Sequence, residues 1–289
     1  MTRITKSSSR YQEIKAEILA GNAVVSTALF NPKEAIRKRV DHLKRFLKNS
    51  GRKAFVLGIS GGVDSSTTGK LCQIACEELR AEGYFAQFVA VRLPAGVQLD
   101  ESSAQEALKF IQPDKSMTVN IGEAANNLSI QGVMEFRRVG GEITESQVDF
   151  NKGNMKARIR MLVQYQIAAM FEGVVVGTDH NAEYVMAFYT RFGDEACDVT
   201  VLNGLSKRQI RLVAKELGAS EALWKKPPTA DLEELNPGKL DDEGFGFNYD
   251  YMDDFLEGIA IPEEVEEKII NHFDVTRFKR SPIPGFKES

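Results

Sequence analysis

Four short runs of apolar and β-branched residues, KAFVLGIS, YFAQFVAVRL, KSMTVNIG and GVVVGTD, recur along the chain with helix-periodic segments between them. Each run has the length and composition of a buried strand. Their alternation with helices implies a parallel sheet covered on both faces. The expected fold class is α/β, a Rossmann-like three-layer sandwich in a single domain, with right-handed crossovers. Ligands of such folds gather beyond the carboxyl ends of the strands. Two stretches occupy that position, GISGGVDSS after the first run and VVVGTDHNAE at the fourth.

The helices are legible from spacing. NPKEAIRKRVDHLKRFL carries Ile36, Val40, Leu43 and Leu47 on one face, with Asn31 as a cap and Pro32 at the first helical position. From Ser65 to about Arg80, Leu71, Ile74, Ala75 and Leu79 share a side. Further helices are expected at 100–112, 122–137 and 147–171, and over NAEYVMAFYT and SKRQIRLVAKELG, the last ended by Gly218. The long helix has an apolar stripe of Met155, Ile159, Leu162, Tyr165/Gln166 and Ala169, as for a helix buried on more than one side. NPGKLDDEGFGFNYD reads as a long loop. With 289 residues, 43% of them hydrophobic, the chain can build a core without metal or disulfide staples. Cys72, Cys76 and Cys197 have no CxxC spacing and His42, His180 and His272 are scattered, so a zinc cluster is not expected and a reducing, cytoplasmic setting is. A net charge of −4 argues against a nucleic-acid partner, and no segment has the run of apolar residues a membrane span requires.

The glycine-serine stretch looks made for phosphate. A strand turning sharply into a helix leaves backbone N–H groups pointing outward, and Gly61 and Gly62 let an anion approach them. Ser60, Ser65 and Ser66 add hydroxyls, and the helix dipole favours negative charge. Asp64 is out of place beside phosphates unless a cation lies between, which suggests Mg²⁺. The plain alternative is a strand-to-helix turn in which Ser and Asp serve as caps. The Walker pattern does not fit, because Gly69-Lys70 is followed by Leu71.

S-G-G-x-D-S after a buried strand resembles the PP-loop of the adenine nucleotide alpha-hydrolase superfamily, which splits ATP between the α- and β-phosphates. Six further strings follow in order: NKGNMKARIRM, VVGTDHNAE, FYTRFGD, LSKRQI, KKPPTADLE and YDYMDDFLEG. Together they resemble the ammonia-dependent NAD synthetase family, over about residues 10–280. The resemblance implies an adenine nucleotide alpha-hydrolase-like fold with a helical extension over 1–30, a PP-loop core over 31–230 and a loop-and-helix region over 231–289. It implies that deamido-NAD, ATP and ammonia give NAD, AMP and diphosphate through an NAD-adenylate. It also implies a homodimer with the dinucleotide site at the interface.

Carried over residue by residue, the resemblance puts Gly58, Ile59, Ser60, Gly61, Gly62, Val63, Asp64, Ser65 and Ser66 on ATP, with Thr178, Lys207 and Thr229. Asp64 and Glu183 become Mg²⁺ ligands, and Lys207 a point charge on the phosphates. Phe150, Asn154, Arg158, Tyr165, Arg191, Asp198, Phe278 and Lys279 fall on deamido-NAD, and Asp194 on ammonium as its base. Outside that context, Lys207 and Glu183 read as solvated helix residues, and Phe150 and Tyr165 as core. The chain departs from the family pattern in four places: Glu195 and Ala196 replace two glycines, Arg191 replaces lysine, and Phe278 replaces histidine. If a glycine position there needs positive φ, the loop must be reshaped. Glutamine-dependent relatives carry an amidase domain; with the PP-loop at residue 60, free ammonia, or ammonia from a separate partner, is expected instead. Two other readings are another PP-loop or tRNA-modifying enzyme, and a nucleotide-sensing protein without turnover.

Overall fold

A computed structural model describes residues 4–96, 101–227, 234–235 and 244–286. Helix α1 (Ser9–Asn22) and α2 (Pro32–Ser50) precede strand β1 (Ala54–Gly58), α3 (Val63–Ala81), β2 (Gln87–Arg92), α4 (Glu101–Ile111) and β3 (Lys115–Thr118). Then come α5 (Gly122–Arg138), α6 (Glu145–Met170), β4 (Gly173–Gly177), α7 (Asn181–Met186), β5 (Val199–Thr200), α8 (Lys207–Glu216) and α9 (Glu221–Trp224). The described chain closes with α10 (Tyr249–Leu256), α11 (Glu263–Val275) and α12 (Arg277–Arg280). The strands form one parallel sheet in the order β3-β2-β1-β4-β5, so the fold class holds.

Local chemistry sets the helix ends as the spacing predicts. Asn31 accepts from the N–H groups of Lys33 and Glu34 at 3.1 and 3.3 Å, with Pro32 at the first helical position. Gly51, at φ +65°, closes α2 in the left-handed region. Thr144 and Gln147 form a reciprocal capping box at the start of α6. Side chains of the strands alternate between two apolar layers. Phe55, Leu57, Phe88, Ala90, Val174 and Val176 pack with α2, α3 and α8. Val56, Val89, Val91 and Val175 pack with Ile121 and, on α6, Ile167 and Ala168. This is the three-layer sandwich.

Three elements differ from expectation. The two-residue β5 is too short to leave a periodic signal. Helix α7 stops at Met186, because Ala187 turns into the left-handed region at φ 45°. On α6, Ile159, Val163, Tyr165, Ile167 and Ala168 pack in the apolar layer against the sheet, so Ile159 and Tyr165 of the expected stripe hold, whereas Leu162, Gln166 and Ala169 are exposed. The row Ile159, Val163 and Ile167, four residues apart, is offset around the helix from the expected stripe and shares only Ile159 with it.

A second apolar cluster lies outside the sandwich. Tyr11, Ile14 and Ile18 of α1 meet Ala182, Val185 and Met186 of α7, Met252, Phe255 and Leu256 of α10, and Ile269, Ile270 and Phe273 of α11. The N-terminal extension and the C-terminal helices therefore build one cluster that also seats α7, the helix carrying Glu183. Truncating the buried Ile14 to Ala should cost about 2–5 kcal/mol of unfolding free energy. Chemical denaturation measures it; a loss below about 1 kcal/mol would show that α1 is not part of this cluster in solution.

Candidate active site

β1 and β4 are neighbours, yet the chain leaves β1 toward β2 and β4 toward β5 on the other side. A crevice opens at such a reversal, beyond the carboxyl ends of the two strands. The loop after β1 carries Ile59–Gly62, and the loop after β4 carries Thr178–His180. Gly61 sits at φ +84°, and a Cβ there would lie 2.8 Å from the backbone N of Ala104 on α4. No side chain fits that position. The serines brace the turn: Gly62 N–H donates to Ser60 Oγ (3.2 Å), Ser60 and Ser65 hydroxyls meet at 3.1 Å, and Ser66 Oγ donates to the Gly62 carbonyl (2.7 Å). Gly58 N–H donates to Gln164 Oε1 of α6 at 2.7 Å, which ties the strand end to the opposite layer.

Asp64, in the first turn of α3, receives the ammonium of Lys207 at 2.5 Å. Glu183 is on α7, and one ligand atom from each of Asp64, His180 and Glu183 lies within 4.8 Å of the others. Burial pushes the Asp64 carboxyl up, but the Lys207 ammonium pulls harder, and it is held below the usual carboxylate range. Its Oδ1 is buried with no hydrogen-bond partner among the described residues. A buried carboxylate oxygen left open beside a second carboxylate suits a hard divalent cation, so the residues fit Mg²⁺. His180 is fully buried, and burial, then the Lys207 charge, push its imidazole down to about 3; it is neutral.

Lys207 owes its place to α10. Asp253 accepts the backbone N–H groups of Lys207 and Arg208, both at 2.8 Å, so one carboxylate caps the start of α8. Lys226 Nζ reaches the Gly61 carbonyl at 3.4 Å and brings a second lysine to the PP-loop.

The residues expected on the dinucleotide converge between α6, the 187–198 segment and α12. Thr190 Oγ1 donates to Asn154 Oδ1 (2.8 Å), and Thr190 N–H to Asp194 Oδ1 (2.8 Å). Arg158 Nε donates to the Arg191 carbonyl (3.3 Å), and Arg191 to that of Ser281 (3.0 Å). Lys279 donates to the Ala187 carbonyl at 2.5 Å and also to that of Tyr189. Tyr165 Oη donates to Asp198 Oδ1 (3.4 Å), while Asp198 Oδ2 accepts the Val175 amide (2.8 Å), a structural duty the motif did not reveal. Phe150 and Phe278 are exposed and Thr178 is half-buried at the end of β4. Thr229 lies outside the described residues, as do residues 236–243 of the expected long loop.

The Glu195–Ala196 replacement is accommodated without strain at either residue. Positive φ in this loop falls instead on Phe192 (60°), and Glu195 Oε2 accepts the Gly193 N–H at 3.2 Å. Asp179 is the acidic centre that sequence reasoning passed over. Burial first, then Asp194, Glu195 and Asp64, raise its carboxyl to about 8. Asp194 is open to solvent as a residue, yet the protein around its carboxyl, with Glu195, shifts it upward too.

The NAD synthase family model matches residues 35–283. The chain belongs to the NAD synthase family. It is 47% identical over 274 residues to the NH(3)-dependent NAD(+) synthetase of Shewanella amazonensis, covering 94% of this chain and 99% of that one. Among solved structures, NAD+ synthetase from Burkholderia pseudomallei superposes with a TM-score of 0.76 at 41% identity, over 96% of this chain and 98% of the other. NMN synthetase from Francisella tularensis gives 0.74 at 28% identity, over 89% and 100%. Family motifs alone could have pointed to His180 and Asp179, which stand inside the string already quoted, VVGTDHNAE. The string YDYMDDFLEG likewise contains Asp253, though not its contact 46 residues away; Gln164 lies in none of the quoted strings and acts through a contact 106 residues away along the chain.

Two predictions follow from this geometry. Gly61→Ala must move α4 or the loop, and should weaken ATP binding at least about tenfold by titration calorimetry, with strain of about 1–3 kcal/mol. Asp253 is raised by burial from 3.8 to about 6, against the pull of the two amides it caps. Between those values the folded chain keeps a proton there that the unfolded chain has lost, so stability declines as pH rises through that window. The slope should be up to about 1.4 kcal/mol per pH unit and absent in Asp253→Asn, whose lost cap gives a pH-independent offset. Denaturation midpoints across pH 4–7 for both proteins check this.

Proposed function

We infer that the chain joins ammonia to deamido-NAD at the expense of ATP, giving NAD, AMP and diphosphate. It is a ligase forming a C–N bond in the last step of NAD synthesis. One observation carries the reading: in a member of this family, Asp64, Glu183 and Lys207 meet at the joint ends of β1 and β4. The PP-loop would hold pyrophosphate as a leaving group. The nicotinate carboxylate attacks the α-phosphorus and diphosphate departs, leaving an acyl adenylate. Ammonia then attacks the activated carbonyl and AMP leaves. A carboxylate alone resists amines because oxide is a poor leaving group; adenylylation supplies a good one.

Loop amides and the Ser60, Ser65 and Ser66 hydroxyls would bind the phosphates, and Lys207 would offset the charge of the departing diphosphate. Asp64 and Glu183 would hold Mg²⁺, which supplies Lewis-acid charge neutralisation on phosphate oxygens. Arg158, Arg191, Asp198 and Lys279 would hold the dinucleotide, with Asn154 and Tyr165 beside them and the exposed Phe150 and Phe278 at its margin. Asp194, backed by Asp179, would attract ammonium and accept its proton. The 187–198 segment thus serves both substrates.

The homodimer has its own support. Leu128, Met134 and Phe136 of α5 and Phe150, Leu162 and Met170 of α6 are exposed, and the two helices pack side by side. An apolar face of that extent suits a partner surface, here a second copy. Among the described residues no helix is long and apolar enough to cross a membrane. Three free cysteines accord with a reducing, cytoplasmic setting, and net charge −4 with the absence of a nucleic-acid partner from the reading.

The test is turnover with deamido-NAD, ATP, Mg²⁺ and ammonium, reading NAD and AMP separately, with glutamine replacing ammonium and nicotinic acid mononucleotide replacing deamido-NAD as comparisons. Equal NAD and AMP with ammonium, and neither with glutamine, is the expected outcome. AMP with preferential use of the mononucleotide would overturn the dinucleotide assignment. Asp64→Asn should lower kcat at least about 100-fold. Leu162→Glu should shift the sedimentation coefficient from dimer to monomer.

A further inference from the structure

We propose that His180 is a positioning residue for Lys207 in the adenylylation step, accepting a hydrogen bond from its ammonium through Nε2. The inference rests on the functional reading above. It begins from three distances: Nε2 lies 3.5 Å from Lys207 Nζ, 3.3 Å from Tyr249 Oη and 4.0 Å from Asp64 Oδ1. The ring is 1% exposed, so these are its surroundings rather than one rotamer among many. An ammonium donates and never accepts, so the proposed bond requires the Nε2 lone pair and, with it, a ring proton on Nδ1. Nδ1 is buried and has no hydrogen-bond partner among the described residues.

A lysine is a point charge on a flexible four-carbon stem, and its place is set by what receives its donors. Asp64 alone would draw Lys207 fully onto a carboxylate that the reaction needs for the cation. A second, neutral acceptor on the β4 loop divides the donors between the two loops and fixes rotation about the last bond. The ammonium also lies 5.6 Å from the centroid of the Tyr249 ring, which walls the third side with a negative face. Its charge is thereby held at the junction of the PP-loop and the β4 loop, where diphosphate must leave. His180 precedes Glu183 by three residues, and its Nε2 is 3.5 Å from Glu183 Oε1, so the same ring spaces the second carboxylate.

Two variants separate this role from simple core packing. His180→Leu fills the volume without an acceptor, and His180→Gln places Oε1 near the position of Nε2. In His180→Leu, ATP–pyrophosphate exchange and kcat should both fall about 10- to 100-fold, the range of one hydrogen bond to a charged group. KM for deamido-NAD should stay within about twofold and Tm should equal or exceed that of wild type. His180→Gln should recover kcat to within about fivefold of wild type while being no more stable than the leucine variant. Equal losses in both variants alongside lowered Tm would overturn the proposal in favour of packing. So would full activity in His180→Leu. A spectroscopic readout needs no turnover: with only three histidines, long-range ¹⁵N–¹H correlation of the nucleotide-free chain can assign the signal missing from His180→Gln. A proton on Nε2 would overturn the proposal. Wild type without turnover would remove the functional reading itself, a different failure.

Discussion

The pairing of β1 with β4 is the constraint on which the site depends. Val56 and Val175 are register partners in two strands running the same way, so their carboxyl ends deliver the PP-loop and the GTDHNAE loop to one place. Neither loop is a site alone. The first offers amides and hydroxyls with a carboxylate that repels phosphate; the second offers a carboxylate and a buried imidazole. Brought together, they make a pair of hard oxygen donors with a cation beside them. Parallel pairing supplies this only because the connections leave in opposite directions.

The electrostatics of the crevice are arranged in two fields. Around Asp64, Lys207 outweighs the burial that would protonate the carboxyl, so an anion is kept inside the protein. Around Asp179, burial and the neighbours Asp194, Glu195 and Asp64 outweigh the pull of Lys279, so its carboxyl is raised to about 8. Asp64 stands in the first turn of α3 beyond β1, and Asp179 in the loop beyond β4. That contrast separates a half with two lysines, Lys207 and Lys226, from a half rich in carboxylates; in the proposed reaction the first would face the phosphates and the second the amine.

Several residues that look peripheral hold these fields in place. Asp253 caps α8 through two amides and so presents Lys207. Glu257, on the same helix, accepts from Thr27 N–H and Oγ1 and from Ser206 Oγ, binding the N-terminal segment to the start of α8. The cluster of α1, α7, α10 and α11 then seats Glu183. The ends of the chain, far from the PP-loop in sequence, decide where two of its principal partners stand.

How much was legible in the sequence differs by level, for a physical reason. The four strands, the caps at Asn31 and Gly218 and the apolar faces of α2 and α3 follow from local periodicity, which neighbouring residues alone establish. The ATP-side residues followed from motif resemblance, because backbone turns that admit phosphate tolerate few side chains. Gly61 shows why, with α4 backbone 2.8 Å from where a Cβ would be. The short β5, the early end of α7 and the buried face of α6 were decided by packing across the sheet, which leaves no periodic trace. His180 as an acceptor for Lys207, Asp253 as the cap of α8 and Gln164 as the tether of β1 belong to the tertiary structure alone. Each joins residues distant in sequence, and a hydrogen bond of that kind exists only once the layers have closed. By itself, then, the sequence determined the α/β class and the glycine turn after β1; the tertiary structure decided which charges face that turn and what holds them there.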